Sequence, residues 1–412
     1  MILPNVIDLA EKVQAGLSVR FADIDKISEI NTMRVIEAFQ KHRVSDACFA
    51  GTTGYGYDDL GREVLDKVYA DVFGAEAALV RIGFVNGTHA LTAALFACLK
   101  PGDTLLSVTG LPYDTLRASI GISGDEHGSL KFYGINYMQV DLLPNSSPDY
   151  DGIRRALADK SVSTVLIQRS RGYAKRRALS VNEIGEITEA VKALRSDVNV
   201  MVDNCYGEFV EELEPTMVGA DIIAGSLIKN PGGGLAPTGG YIAGCRELVE
   251  KAANRLTTPG IGGECGSTLG NNRLLFQGFF IAPHVVAQAL KTACFCSGML
   301  EELGYETSPS SIESRSDIIQ MVELKTPEGI KKFCKGIQSS APVDSFVTPE
   351  PWQMPGYDCP VIMAAGAFVQ GSSIELSADG PMREPYIAYL QGGITYESGK
   401  LGIMMAISEM LS

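Results

Sequence analysis

The feature that most constrains the fold of this chain is a regular alternation of short apolar runs and amphipathic stretches between residues 77 and 244. The apolar runs have the length and the β-branched content of buried strands. They cover 77–81, 104–108, 137–142, 162–168, 198–203, 221–225 and 239–244. The stretches with helical spacing include 91–99, 113–120, 150–158 and 181–194. Because strands joined through helices pair in parallel by right-handed crossovers, the alternation predicts an α/β fold with a mostly parallel central sheet and helices on both faces.

The length of the chain, 412 residues, indicates two domains, because single cores stop growing near about 250–300 residues. We expect an N-terminal helical arm over 1–50, a large α/β domain over 51–290 and a small C-terminal α+β domain over 291–412. A long apolar stretch, from about 272 to 303, is expected to lead out of the large domain as a helix. The small domain is predicted from a strand at 318–324, a helix at 329–337, strands within 360–376 and at 386–390, and a helix at 399–410.

The composition excludes several classes of function. A net charge of −14 argues against nucleic acid or an anionic membrane as a partner, because both attract basic surfaces. The nine cysteines are odd in number and form no CxxC pair, as is typical of reduced thiols inside the cell. With four histidines, no metal site is expected. Charged residues near the N-terminus, Glu11 and Lys12, are unlike a signal peptide, so we expect a cytoplasmic protein.

Reactive side chains follow the predicted strands at their carboxyl ends, where ligands bind in parallel sheets. Lys229 stands just past the run 221–225 and before a glycine cluster, and Asp203 ends the run 198–203. An amine and a carboxylate in these places are the two groups that hold pyridoxal phosphate (PLP). The lysine forms a Schiff base with the aldehyde, and the carboxylate keeps the pyridine nitrogen protonated. A nucleotide-binding loop is disfavoured, because the lysine precedes the glycines and no GxxxxGK[ST] motif occurs.

A second signal is the pair Gly87 and Thr88, which opens a helix after the first strand. Free backbone N–H groups, a hydroxyl and the positive end of a helix suit a phosphate group. The alternative is that Thr88 is an ordinary N-cap. Arg169 and Arg171, at another strand end, are both open as contacts to the cofactor or to an acidic group of the substrate.

These residues resemble the fold-type I PLP enzymes, the aspartate aminotransferase superfamily. The resemblance rests on the order Gly87-Thr88, Tyr113, Asp203 and Ser226-x-x-Lys229. The segment 55–88 resembles the cystathionine and methionine lyase branch of that superfamily. The stretch SLIKNPGGGLAPTGGYIAG, which begins at Ser226, is similar to the methionine γ-lyase-like group often labelled aluminium-resistance proteins. The similarity covers nearly the whole chain.

The resemblance implies a role for each matched residue. Lys229 corresponds to the Schiff-base lysine, which also acts as the base that removes the α-proton. Asp203 corresponds to the partner of the ring nitrogen, and Tyr113 to the aromatic residue that stacks on the ring. The phosphate is implied to bind three residues: Gly87, Thr88 and Ser226. The lysine must be neutral to act as a base, and we expect Schiff-base formation together with burial to lower its proton affinity.

The sequence departs from the branch at two places. The lyases carry Tyr-x-Arg before the first helix of the large domain, from which residues reach the phosphate of the partner subunit. Here Tyr55 and Tyr57 are present without that arginine, so the tyrosines are the candidates for contact with a substrate or a neighbouring subunit. Arg383 is the candidate for the substrate carboxylate, because arginine binds carboxylates bidentately. The alternative for Arg383 is a surface turn.

The function predicted from these observations is a PLP-dependent lyase acting on a small-molecule amino acid. The expected reaction is elimination of a sulfur-containing β- or γ-substituent, with release of ammonia and a 2-oxo acid. Similar sites also perform transamination and aldol cleavage, so an aminotransferase or an aldolase is an alternative. A PLP-binding stress-response protein without turnover is a further alternative. The resemblance implies a homodimer or a homotetramer.

Overall fold

The structure, a computed structural model, describes residues 2–124, 127–354 and 359–412. Its α-helices are α1 Pro4–Gly16, α2 Ser18–Lys41, α3 Leu60–Val72, α4 Gly87–Cys98, α5 Asp114–Ile120, α6 Tyr150–Ala156, α7 Val181–Leu194, α8 Arg246–Leu256, α9 Asn272–Glu302, α10 Pro327–Ser340 and α11 Tyr396–Leu411. Its strands are β1 Ala77–Arg81, β2 Thr104–Ser107, β3 Asn136–Gln139, β4 Val162–Gln168, β5 Asn199–Asp203, β6 Ile222–Ser226, β7 Gly240–Gly244, β8 Glu306–Ser308, β9 Gln320–Glu323, β10 Val361–Ala365, β11 Ser377–Pro381 and β12 Ile387–Gln391.

The large sheet has seven strands in the order β1-β7-β6-β5-β4-β2-β3. Strands β2 to β6 pair in parallel, whereas β7 runs antiparallel to both of its neighbours. It follows that β1 points the same way as β6. All residues of β2, β6 and β7 are buried, as expected for strands covered on both faces by helices. The predicted α/β fold with a mostly parallel sheet is confirmed, with β7 as the reversed strand.

The helix α9 joins the two sheets and forms much of the core. Its residues 278–300 are largely buried, and α2 packs along it. The predicted domain boundary after residue 290 falls within this helix. By length and composition α9 could cross a membrane, but 72% of its apolar window is buried inside the protein. Burial to this extent is typical of a helix in the core of a globular protein.

The small sheet has five antiparallel strands in the order β10-β11-β12-β9-β8. Helices α10 and α11 pack against each other, and α10 covers β10 and β11. The strands predicted within 360–376 correspond to β10 alone. The residues after it form an irregular segment, and β11 begins later, at Ser377. This segment and β11 face the carboxyl edge of the large sheet.

Candidate active site

A cavity of about 290 Å³ lies between the carboxyl ends of the large-sheet strands and the wall formed by residues 371–379 of the small sheet. Six of the residues named from the sequence line it: Gly87, Thr88, Tyr113, Asp203, Ser226 and Lys229. They come from four separate βα units, which explains why no contiguous motif contains them all. A larger groove of about 690 Å³ runs along α3 and α8, away from Lys229. The smaller cavity is the candidate site, because it contains the reactive groups.

Lys229 is placed by the end of β6 and by the turn that follows it. Its backbone N–H donates to the Ser226 carbonyl at 3.4 Å, and its Nζ lies 3.9 Å from the centroid of the Tyr206 ring. Burial lowers the pKa of Lys229, but the neighbouring Cys205, Tyr206 and Asp203 together raise it above the usual lysine value. The free amine is therefore protonated at neutral pH. For the free amine, the neighbouring groups thus outweigh burial, and its proton affinity is raised rather than lowered as expected.

Asp203 ends β5 and is 6% exposed. Its Oδ1 accepts a hydrogen bond from the Cys205 backbone N–H at 3.1 Å. Burial raises the pKa of Asp203, although the positive charge of Lys229 opposes the shift. A buried carboxylate of this kind is stabilised by a cation placed against it. The protonated ring nitrogen of PLP is such a cation, so the residue fits the cofactor.

The N-terminus of α4 fits a phosphate group. The N-cap is Asn86, whose side chain accepts from the His89 backbone N–H at 2.9 Å. Thr88 is therefore not the N-cap, and its Oγ1 lies 2.8 Å from that of Thr115 at the cavity wall. A Cβ built on Gly87 would lie 3.0 Å from the Cβ of Ser226, so a side chain there would fill the space between helix and strand. These contacts leave room for a ligand beside the helix end.

Tyr113 lies at the start of α5 and lines the cavity. Its backbone N–H donates to Gln168 Oε1 at 2.8 Å, and its ring meets that of Tyr173 edge-on at 5.9 Å. Gly172 is close to the same ring, since a Cβ there would lie 3.1 Å from a Tyr113 ring carbon. The ring is thus held at the wall, where an aromatic cofactor can stack on it.

Three residues named from the sequence lie elsewhere. Arg383 is exposed on the turn after β11 and lines neighbouring cavities rather than the one around Lys229. The turn is closed by the Tyr386 N–H, which donates to the Arg383 carbonyl at 2.9 Å. Tyr55 and Tyr57 stack on each other at 5.7 Å and are 74% and 56% exposed. They also lie outside the cavity of this subunit.

Buried arginines near the site have structural partners. Arg62 donates to the carbonyls of Gly56, Glu264 and Gly266, so it holds the loop 51–59 that carries Tyr55 and Tyr57, the tyrosine loop. Arg169 binds Asn204 and Glu211 and is fully buried. These bonds explain why neither side chain lines the cavity.

Arg171 was the other open candidate for a cofactor or substrate contact. It is buried, and its Nη2 donates to Ser308 Oγ at 3.0 Å. The cavity is lined instead by its neighbours Ser170 and Gly172.

The structure adds residues that the sequence did not indicate. Tyr206 has a left-handed backbone, with φ of 71°, and its ring lies against Lys229. Asp379 of β11 lines the cavity from the small sheet, and its Oδ2 accepts from Tyr173 at 2.9 Å and from Gln391 at 2.8 Å. Burial raises the pKa of Asp379 to about 6, against the effect of these hydrogen bonds and of Lys229. Its location on a strand outside the predicted βα units explains why no sequence pattern marked it.

In the described ranges, no group of three or more His, Cys, Asp or Glu residues is arranged to hold a metal ion. All nine cysteines are free. The amine, the carboxylate and the helix N-terminus that line the cavity suit an organic cofactor with an aldehyde, a basic ring nitrogen and a phosphate.

Comparison with known proteins agrees with this geometry. A carbon-sulfur lyase involved in aluminium resistance from Clostridium novyi is 54% identical, with 99% of this chain and 96% of that one covered and a TM-score of 0.95. The Bacillus subtilis protein YnbB, named as uncharacterised, is 51% identical over 98% of this chain and 96% of its own. The PLP-dependent protein YhfS of Escherichia coli shares the fold, with a TM-score of 0.62 at 18% identity over 92% of this chain and 95% of that one. The family model for methionine gamma-lyase matches residues 6–411, and the chain therefore belongs to this family of PLP-dependent enzymes.

Proposed function

We propose that the protein is a carbon–sulfur lyase, which eliminates a thiol from the β- or γ-carbon of an amino acid and releases ammonia and a 2-oxo acid. The observation that carries the proposal is the convergence of Lys229, Asp203 and the Gly87–Thr88 helix end on one cavity. The carbon-sulfur lyase of Clostridium novyi, which is 54% identical, supports the reaction class.

The cofactor would be held by groups at three sides of the cavity. In this proposal, Gly87, Thr88 and Ser226 bind the phosphate, Tyr113 lies along the ring, and Asp203 keeps the proton on the ring nitrogen. When bound, PLP withdraws electrons from the α-carbon of the substrate, so that its proton becomes acidic. The buried carboxylate of Asp203 favours the protonated form of the ring nitrogen. A buried carboxylate alone is unfavourable, and the positive ring nitrogen gives it a partner of opposite charge.

Lys229 would move protons at its Nζ atom. The face of the Tyr206 ring, 3.9 Å away, stabilises the cationic form of the amine, so it holds a proton securely once it has accepted one. The amine is neutral when the substrate displaces it from the cofactor, so it can then take the α-proton and pass it to the departing sulfur. The surrounding apolar side chains, among them Ile228 and Met363, limit access of water to this atom.

The substrate carboxylate needs donors other than Arg383. Ser372, in the irregular segment before β11, and Ser377, the first residue of β11, line the cavity, and their Oγ atoms are buried without a hydrogen-bond partner in the described chain. Buried hydroxyls are stabilised by a partner, and a carboxylate can accept from both. We assign these two serines to the carboxylate subsite.

The test is incubation of the holoenzyme with sulfur amino acids, with parallel assays of 2-oxo acid and ammonia. Elimination releases the two products in equal amounts together with a thiol. Transamination would give the 2-oxo acid without ammonia, and a protein that only binds PLP would give neither product. Lys229→Ala should abolish turnover, whereas the matched control Lys400→Ala, on α11 and outside the cavity, should retain it. A 2-oxo acid without ammonia or thiol would overturn the proposal.

A further inference from the structure

Glu208 is a fully buried carboxyl group outside the cavity, and it packs against the strand that leads to Lys229. The residue belongs to the irregular segment 204–214, which follows β5. A Cβ built on Gly225 of β6 would lie 2.6 Å from Glu208 Oε1, so the carboxyl group is in direct contact with the backbone of β6. Glu208 does not line the cavity. Its effect on the site must therefore pass through neighbouring residues.

One oxygen of this carboxyl group has a donor, and the other has none. Asn204 Nδ2 donates to the Tyr241 hydroxyl at 3.3 Å, and that hydroxyl donates to Glu208 Oε1 at 2.8 Å. A tyrosine has one hydroxyl hydrogen, and here it is committed to Oε1. Glu208 Oε2 is buried without a hydrogen-bond partner in the part of the chain that the structure describes. An ionised carboxyl group would leave this oxygen desolvated and uncompensated.

Glu208 also lacks a cation as a partner. Its side chain is bound by the neutral Tyr241 hydroxyl and forms no ion pair with the described residues. The buried arginine of this region, Arg169, is committed to two other carboxylates. It lies 3.0 Å from Glu211 and 3.5 Å from Glu214. A buried charge without a partner is unfavourable, so the neutral form of Glu208 is favoured.

The pKa of Glu208 agrees with this arrangement. Burial raises the pKa to about 8, and the carboxyl group of Glu214 adds to the shift. The backbone N–H of Glu208, the Tyr241 hydroxyl and the positive charge of Lys229 oppose it. Further titratable groups that face Glu208 are Cys205 and, on α3, Tyr69. At neutral pH most molecules therefore hold a proton on this side chain.

An acceptor for that proton is present on the residue that follows Lys229. Asn230 is fully buried, and its Nδ2 donates to the Glu208 backbone carbonyl at 3.0 Å. Its Oδ1 is buried and has no hydrogen-bond partner in the described ranges. Two acceptor atoms without donors, Glu208 Oε2 and Asn230 Oδ1, thus belong to residues that are already in contact. One proton on the carboxyl group satisfies both atoms.

We propose that Glu208 is a neutral acid in the folded protein and positions Lys229 by donating a hydrogen bond from Oε2 to Asn230 Oδ1. With both ends of its amide bound, Asn230 is fixed, and so is the turn on which the lysine stands. Glu208 is therefore a positioning residue and does not itself touch the cofactor. The proposal rests on the proposed function only in that Lys229 carries the cofactor, and it does not depend on the reaction catalysed.

Infrared spectroscopy of the cofactor-free, full-length protein tests the protonation. Glu208→Gln keeps the size of the side chain, an oxygen that accepts from Tyr241 and an N–H group that donates to Asn230. We expect the wild type minus the variant to show the carbonyl band of a protonated carboxylic acid at pH 7, and the band to disappear as pH rises through about 8. Glu212→Gln, at an exposed position of the same segment, is the matched control and should leave the band unchanged. A difference spectrum without an acid band at pH 7 would overturn the proposal.

Titration of the cofactor-free protein with PLP tests the positioning. Glu208→Met keeps the length of the side chain but has no donor, so we expect it to bind PLP at least about tenfold more weakly than the wild type. Glu208→Gln should bind within about threefold of the wild type, because its amide replaces the acid as the donor. Equal weakening in both variants would show that the donor is not what matters and would overturn the proposal. If Glu208→Met does not fold, the infrared band and the PLP affinity of Glu208→Gln decide the question.

A double-mutant cycle tests the contact between the two side chains. Asn230→Ala removes both amide contacts, and we expect it to weaken PLP binding by at least about tenfold. The Nδ2 bond to the Glu208 backbone carbonyl is present with either side chain at 208, so it cancels in the cycle. Adding Glu208→Met to Asn230→Ala should therefore weaken binding by about threefold or less. Independent effects, which would multiply to about a hundredfold, would overturn the proposal.

The outcomes are separate from those of the lyase assay. An acid band with unchanged PLP affinity in every variant would overturn the positioning role of Glu208 and leave the lyase unaffected. The expected band and affinities in a holoprotein that releases no ammonia from sulfur amino acids would support the positioning role and count against the lyase.

Discussion

At the scale of single residues, the site is defined by two buried carboxyl groups whose surroundings raise their pKa values. Burial raises the pKa of Asp203 and of Asp379, and each is opposed by the same amine, that of Lys229. The three side chains reach the cavity from different elements. Ligands that supply positive charge are therefore favoured at two places, beside the ring nitrogen and beside the small sheet.

The raised pKa of Asp379 predicts a dependence of stability on pH. Its pKa is about 6 in the folded protein, against a usual value of 3.8, so the folded state holds the proton more tightly than the unfolded state. The free energy of unfolding contributed by this group therefore falls as pH rises from about 4 to about 6. The groups that face it are Tyr173, Gln391, Lys229 and, beside the amine, Tyr206.

Asp379→Asn should remove this dependence. We expect the variant to match the wild type near pH 4 and to be more stable at pH 7, by at most about 3 kcal/mol, since one pKa unit corresponds to about 1.4 kcal/mol. Urea unfolding at a series of pH values measures the difference. If the wild type were the more stable of the two at pH 7, the ionised carboxylate would not destabilise the folded protein, and the prediction would be wrong.

The sequence could indicate those site residues that stand directly next to a predicted strand. Lys229 and Asp203 each follow an apolar strand directly, so parallel pairing alone predicts that they lie at one edge. Tyr206 and Asp379 carry no such signal, because their roles depend on a left-handed backbone and on the docking of a second sheet. Arg383 has suitable chemistry for a carboxylate, but it lines neighbouring cavities rather than the one around Lys229, and no local pattern reveals that placement.

At the scale of elements, the N-terminus of α4 is expected to bind the phosphate of the cofactor. Thr88→Val should weaken PLP binding by about tenfold, because a hydrogen bond to a charged group is lost while the size of the side chain is retained. Titration of the cofactor-free protein with PLP measures the affinity. The matched control is Thr92→Val, since Thr92 lies one turn further along the helix and its hydroxyl donates to the Thr88 carbonyl. Equal affinities of the two variants would remove Thr88 from the phosphate site.

The helix α9 supports the turn that follows Lys229. A Cβ on Gly278 would lie 2.3 Å from the Gly232 carbonyl oxygen, so helix and turn are in direct backbone contact. Alanine usually stabilises a helix relative to glycine, by about 1 kcal/mol. We expect the opposite sign for Gly278→Ala, a net destabilisation of about 1–3 kcal/mol, because the backbone has to move. Gly16→Ala, at the end of α1, is the control, since no atom lies within 4 Å of its Cβ.

Urea unfolding and PLP titration of the two glycine variants measure the effect. Gly278→Ala should also bind PLP more weakly, because the turn displaced by the new methyl group carries Lys229. Gly16→Ala should leave both quantities near the wild-type values. A Gly278→Ala protein as stable as the wild type would mean that the contact relaxes without strain.

Elements that carry periodic patterns could be predicted, and irregular ones could not. The helix α7 and the strand β4 coincide with their predicted bounds, because α7 is amphipathic and β4 is a run rich in β-branched residues. The helix α4 begins at Gly87 rather than at 91, since Asn86 caps it through a bond that apolar periodicity does not register. The strand β11 was missed because its sequence, Ser-Ala-Asp-Gly-Pro, has little strand propensity, and it forms by pairing with β10 and β12.

At the scale of the whole molecule, the expected homodimer or homotetramer requires a surface that a second copy covers. Tyr55, Tyr57 and Leu269 are 74%, 56% and 62% exposed, and the Leu269 N–H donates to Thr52 of the tyrosine loop. Exposed aromatic residues in one patch are typical of interfaces. We expect Tyr55→Ala combined with Tyr57→Ala to lower the mass in solution, measured by light scattering. Phe346→Ala, at an 86% exposed residue, should not change it.

The central claim is that Lys229 is the residue to which the cofactor is attached. The most direct measurement is borohydride reduction of the holoprotein, followed by protein digestion and mass spectrometry of the lysine-containing peptides. The account predicts a phosphopyridoxyl group on the peptide that contains Lys229 and on no other. A phosphopyridoxyl group on a different lysine, or an unmodified Lys229 peptide from fully loaded protein, would contradict it.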